Sequence, residues 1–258
     1  MAGRSDPPDW ALALDELERE GVVCLPGLLS AATCEALIAW PIGRAPPGPV
    51  TEATDGQPQP GCRPVPPAAG PLIEEWLPEP LPDPLHRLRA LLYRRVLPLA
   101  RRWAGWLDER PDRPGQTQRQ EAEDTVFADT HEEHLAACRR GGRIRPLCRL
   151  LRVGAGCRLP LRRQPDGEPA FPVIATVLLS EPGRDFSGGE LVLTEQRPRM
   201  QSRPFVVAMQ AGSVALLAGG HHPQHGARGL YRVTTRHAVS RVHGGERCAI
   251  DLRFDLGR

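Results

Sequence analysis

The chain has 258 residues, and 33 basic side chains against 31 acidic ones leave a formal charge of only +2. Every basic residue is arginine, while lysine and asparagine are absent. Schiff-base, P-loop and lysine general-base chemistries are therefore excluded, and the even balance argues against a dedicated nucleic-acid binder, which carries a marked basic excess. The 40% apolar content suffices for one large core or two small ones. No run of ~18 apolar residues predicts a membrane span. The opening MAGRSDPPDW lacks the apolar stretch of a secretory leader, so a cytoplasmic protein is expected. The seven cysteines form no CxxC pair and are odd in number, which predicts reduced, mostly buried thiols.

In chain order, Asp6-Pro7 reads as an N-cap with proline at the first helical position. Trp10, Ala13, Leu14 and Leu17 follow at helical spacing, and Gly21 stops the element. Val22 to Leu25 is a short strand candidate, and Ser30 caps a second helix, SAATCEALIAW. Residues 46–84 hold 13 of the 29 prolines and show little periodicity, which predicts a long loop, either ordered in patches or mobile. A long helix is expected from Asp83-Pro84, with Leu85, Leu88, Leu92, Val96, Leu99 and Trp103 on one side and a kink at Pro98. Residues 108–126 read as loop, and DTHEEHLAACRR as a helix ending at Gly141-Gly142.

After residue 143 the pattern changes to short β-branched runs between glycine-rich turns. Strands are predicted at Pro146–Val153, Val173–Ser180, Glu190–Thr194, Phe205–Met209, Val214–Ala218, Tyr231–Val242 and Arg247–Phe254. With no helical spacers between them, these suggest a sandwich or jelly roll rather than a parallel sheet. HHPQHGARG, with His221, His222 and His225, has no apolar frame and is expected to be a flexible connection. Arg197 and Arg199 read as solvated charges on a β-connection.

The stretch FPVIATVLLSEPGRDFSGGELVLTEQRPRMQSR, followed by QAGSVALL, TTRHAVSRV and GERCAIDLRF, resembles a bacterial branch of the iron(II)/2-oxoglutarate-dependent oxygenases of prolyl-4-hydroxylase type. The likeness extends from about Trp10 to the C-terminus, through CLPGLLSAATCEAL, LLYRRVLPLARRW and THEEHLAAC. It implies an α+β chain built as a double-stranded β-helix, the jelly roll, with N-terminal flanking helices. Residues 1–142 would form a helical support region containing the proline-rich loop 46–84, and residues 143–258 the β-helix, as one integrated domain. The resemblance also implies Fe(II), held by two histidines and a carboxylate, and 2-oxoglutarate as co-substrate. A small-molecule or peptide substrate would be hydroxylated, with neither nucleic acid nor membrane as partner.

Carried onto this sequence, the family pattern places the distal iron ligand at His237. Strand alternation puts Val233, Thr235, His237 and Val239 on one face. Arg247, ten residues on, matches the 2-oxoglutarate anchor, a role that suits a guanidinium's paired donors. Alternation separates it from Cys248, Ile250, Leu252 and Phe254. The first half of the site departs from the pattern: an ungapped alignment puts Arg162 at the histidine and Gln164 at the aspartate of the H-x-D motif. A guanidinium has no lone pair to give and stays protonated, and Arg158, Arg162 and Arg163 together repel a dication.

Asp166 is the replacement carboxylate to consider, with Glu168 beside it, and His134 or the histidines at 221, 222 and 225 as spare imidazoles. HEEH at 131–134 lacks the i,i+4 spacing of a zinc-binding HExxH helix. Three readings stay open: a working oxygenase with a non-standard iron site, a pseudo-oxygenase that binds a dicarboxylate or acidic partner as sensor or scaffold, and a structural protein with no pocket ligand.

Overall fold

A computed structural model of the chain describes residues 8–40, 70–108, 127–163, 171–227 and 229–258. The first helix, α1 (Trp10–Glu20), starts at Asp9, whose carboxylate accepts the amide protons of Ala11 and Leu12. The cap is thus a residue later than the two prolines, and Asp6 and Pro7 lie outside the described residues. Gly21 ends the helix in the left-handed region at φ 69°, where only glycine rests without strain. A Cβ there would also stand 2.7 Å from His222 Cε1. Gly21→Ala is therefore expected to cost about 1–3 kcal/mol, read as a lower urea midpoint; an unchanged midpoint would show that the turn relaxes freely.

Strand β1 (Val22–Leu25) and helix α2 (Ala31–Ala39), capped by Ser30, follow as expected. Within the proline-rich segment, however, Leu72–Trp76 forms β2, an edge strand of the larger sheet. The segment is therefore not loop throughout, and residues 46–69 lie outside the described residues. Helix α3 runs unbroken from Asp83 to Asp108 through Pro98. Helix α4 (His131–Arg140) carries a full capping box, Thr130 with Glu133, which satisfies two of the amide groups a helix start leaves without partners. No helix among the described residues is long and apolar enough to cross a membrane.

The remaining strands are β3 (Arg149–Gly154), β4 (Leu159–Arg162), β5 (Val173–Leu178), β6 (Phe186–Gly188), β7 (Leu191–Gln196), β8 (Arg203–Val207), β9 (Val214–Ala218), β10 (His221–Gly226), β11 (Gly229–Val239) and β12 (Val242–Leu252). All pair antiparallel. A seven-stranded sheet has the order β1-β9-β5-β12-β3-β2, with β6 on β12, and a five-stranded sheet has the order β10-β11-β7-β8, with β4 on β11.

The period-2 pattern of the larger sheet places its two sets of side chains in different cores. Leu150, Ala175, Val177, Leu216, Cys248, Ile250 and Phe254 join Leu17, Leu85, Leu92, Val96 and Trp103 in the core under the helices. Their neighbours Leu151, Leu178 and Ala249 instead meet Leu159 and Val239 from the smaller sheet, and Ile174, Ala215 and Leu217 meet Leu191 and Leu193. The order is helices, large sheet, small sheet, the jelly roll with flanking helices that the sequence implies.

The histidine-rich segment is not a flexible connection. It is β10, paired residue by residue with β11, and its Pro223 is tolerated because an edge strand has one side free of ladder bonds. His222 is fully buried, with its ring 5.5 Å from that of Trp103. Arg197 is likewise not simply solvated, since its Nε holds the buried Glu195 at 2.7 Å.

Candidate functional site

Between the two sheets lies a small cavity, with Leu151, Leu159, Leu191 and Val239 as its apolar wall and Arg162, Thr176, His237, Arg247 and Asp251 as its polar groups. In the described conformation the free space is water-sized. Alternation along β11 delivers His237: Val233, Thr235, His237 and Val239 are all buried. Burial pushes the imidazole down to about 4, a shift that Arg253, Arg162 and Arg149 reinforce and Asp251 opposes. Both ring nitrogens of His237 are buried without a hydrogen-bond partner among the described residues.

Arg247 reaches the same cavity from β12 and is 1% exposed. Its Nε and Nη1 also find no partner among the described residues. Burial lowers this guanidinium to about 10, against the pull of Asp251, so it stays charged at neutral pH. A buried charge with unmatched donors costs several kcal/mol on the order-of-magnitude scale for ion burial. Such a group in a fold calls for an anion.

Asp251, two alternations along the strand from Arg247, was not singled out from the sequence. In register it stands between Arg149 on β3 and Thr176 on β5. Arg149 donates to its Oδ2 through Nε at 3.1 Å and Nη2 at 2.8 Å, and the Thr176 hydroxyl donates to Oδ1 at 3.2 Å. Burial alone would favour the neutral acid, yet Arg149, the His237 ring, Arg162 and Arg253 hold this carboxyl far below the usual carboxylate range. The remaining Nη1 of Arg149 donates to Glu74 of β2 at 2.9 Å. The chain stretch read as proline-rich loop thus contributes a carboxylate beside the cavity.

Arg162 lies on β4 as the direct cross-strand neighbour of His237, and its Nη1 is 3.7 Å from Glu74 Oε1. Its burial lowers the guanidinium, and Arg149 adds to the shift. Gln164, Asp166 and Glu168 lie outside the described residues. Arg149, Arg162, Arg247 and Arg253 set four cations against the carboxylates of Asp251 and Glu74 among the described residues.

An iron ion does not fit the donor set that the described residues present. Among them His237 is the only imidazole lining the cavity, and the position across from it is a guanidinium rather than a second ligand. The oxygens of Asp251 are already engaged by Arg149 and Thr176. Among the described residues, the one group of three side chains able to hold a metal lies elsewhere, at His134, Cys138 and Asp255.

Two facing antiparallel sheets, a helical layer behind the larger one, and a histidine and an arginine projecting between them define a double-stranded β-helix of the oxygenase class. The chain belongs to the oxygenase family whose model is described as "Oxygenase, catalysing oxidative methylation of damaged DNA", which matches residues 74–256. By family it is an oxygenase, and its fold is the double-stranded β-helix. Similar proteins include the uncharacterised MT2286 and Rv2227 of Mycobacterium tuberculosis, each 32% identical over 177 residues, or 69% of this chain and 70% of theirs. A crystal structure of a Pseudomonas putida prolyl-4-hydroxylase matches 95% of this chain and 100% of its own with a TM-score of 0.50 at 16% identity, a likeness of fold.

Proposed function

We propose that this oxygenase-family chain binds a small dicarboxylate, with 2-oxoglutarate the first to test, and does so without iron. The observation that carries this is Arg247, fully buried with two donor nitrogens unmatched. Among the described residues, Arg162 and Arg247 line the cavity against the one carboxylate of Asp251, a net positive lining that suits an anion. Arg247 would hold one carboxylate through parallel N–H donors. Arg162, across from His237, would supply at the other end the positive charge that a metal supplies in a working oxygenase. Its side chain is 28% exposed, so it can swing outward to admit a ligand larger than the water-sized space.

Damaged DNA, the substrate in the family's description, is left out because the chain's charge balance offers no basic excess to hold a phosphate backbone. The free thiols among the described residues suit a reducing compartment such as the cytoplasm.

The test is calorimetric titration of the full chain with 2-oxoglutarate in the presence of a chelator. One-to-one binding is expected. Failure of 2-oxoglutarate and succinate alike to bind would remove the dicarboxylate. Anaerobic Fe(II) uptake at one ion per chain, with succinate released in air, would instead restore the working oxygenase.

A further inference from the structure

Outside the cavity, α4 presents a second group of chemistry-bearing side chains. His134 and Cys138 are four residues apart and therefore share a helix face, which is buried. That face meets the chain just after β12, where Asp255 is also buried. His134 Nε2 lies 2.8 Å from Asp255 Oδ1, and Cys138 Sγ lies 3.8 Å from the same Nε2. The three donor atoms are all within 4.8 Å of one another.

We propose that Cys138, His134 and Asp255 form a zinc-type metal site that clips α4 to the C-terminal end of the large sheet. One thiolate, one imidazole and one carboxylate make the borderline-soft set that selects zinc over magnesium or calcium. On bonds of about 2.0–2.3 Å to a tetrahedral centre, the 2.8 Å nitrogen–oxygen gap must open by about half an ångström, and the 3.8 Å sulfur–nitrogen gap must close slightly. Sulfur and oxygen, within 4.8 Å of each other, must draw together to about 3.6 Å, so metal entry pulls Asp255 toward Cys138. The surroundings already orient the donors as supporting groups orient metal ligands. The Phe171 amide donates to the other oxygen of Asp255 at 2.6 Å.

Tyr93, Phe127 and Phe171 surround the His134 ring at 5.4, 5.5 and 6.1 Å between ring centres, the two phenylalanines edge-on. Arg143, 3.9 Å from Asp255 Oδ1, offsets one of the two negative charges that the thiolate and carboxylate would bring. Binding releases two protons to solvent, the thiol proton of Cys138 and the Nε2 proton that His134 shares with Asp255, leaves the imidazole neutral with its proton on Nδ1, and takes the fourth ligand from solvent. This site is independent of the dicarboxylate cavity.

Cobalt(II) added to the metal-free full chain tests it. The expected result is one ion per chain, with an intense sulfur-to-cobalt charge-transfer band in the near ultraviolet, displaced by zinc, and a rise in melting temperature with zinc. Cys138→Ser should lose the band and the rise, whereas His225→Ala, on the exposed end of β10, should keep both. Because Cys138→Ser alters a buried position, X-ray absorption of the zinc-loaded wild type provides a readout that needs no variant: one sulfur at about 2.3 Å among nitrogen and oxygen donors. No charge-transfer band in the folded wild type, a band that survives Cys138→Ser, or a zinc shell without sulfur would each overturn the proposal.

Discussion

Arg247→Met is expected to make the ligand-free protein more stable while abolishing its affinity for 2-oxoglutarate. The wild-type guanidinium is fully buried with Nε and Nη1 unmatched, so the folded state carries a desolvation cost that a methionine of similar length removes. Replacing a buried charge by a well-packed apolar side chain is typically neutral to stabilising by about 1–4 kcal/mol. The neighbouring carboxylate keeps its own partners, because Asp251 is bonded by Arg149 and Thr176. Binding should fall by about a hundredfold or more, the scale of removing one partner of a buried charged pair. Thermal melts with and without 2-oxoglutarate check both halves: the wild type rises with ligand, and the variant starts higher and does not move. A variant that melts below the ligand-free wild type would mean that Arg247 is satisfied within the protein.

The double change Arg162→His with Gln164→Asp is expected to raise iron affinity above that of the wild type. Position 162 is the direct cross-strand neighbour of His237, and such pairs hold their Cβ atoms about 5 Å apart, close enough for two imidazoles to share one ion. A guanidinium about 5 Å from a dication costs roughly 6–7 kcal/mol at an effective dielectric of 20. Its removal alone therefore outweighs a hundredfold gain in affinity, about 2.7 kcal/mol. Anaerobic Fe(II) titration with 2-oxoglutarate, watched through the metal-to-ligand charge-transfer band, reads the result. If the folded double variant gains no iron affinity, the ungapped alignment across residues 157–170 is wrong.

Local signals in the sequence were enough for the helices, because caps and 3.6-residue spacing are written in neighbouring residues. Ser30, the Leu85–Trp103 stripe and the Gly141-Gly142 stop each announce their element. The same holds for the strand alternation that turns His237 and Arg247 toward the interior. What failed were two strands and one site residue whose identity depends on pairing across long separations. Strand β2 exists because Leu72–Trp76 finds β3 some 80 residues on, in a stretch whose prolines speak for loop. Strand β10 exists because β11 covers one side of it. Asp251 was within reach of simple alternation from Arg247, but its meaning depends on Arg149 and Thr176, which only the register of three strands brings beside it. Of the H-x-D region, Arg162 is placed opposite His237, while Gln164 and Asp166 lie outside the described residues.

The charge of the cavity is set by groups that do not titrate near neutrality. Arg247 stays protonated even when lowered to about 10, His237 is neutral above about 4, and the arginines fix Asp251 as an anion. A site built from imidazoles and water on a metal changes its protonation over the range where cells vary. This one has no such group among its described cations, so its occupancy would follow the concentration of its ligand and stay blind to acidity.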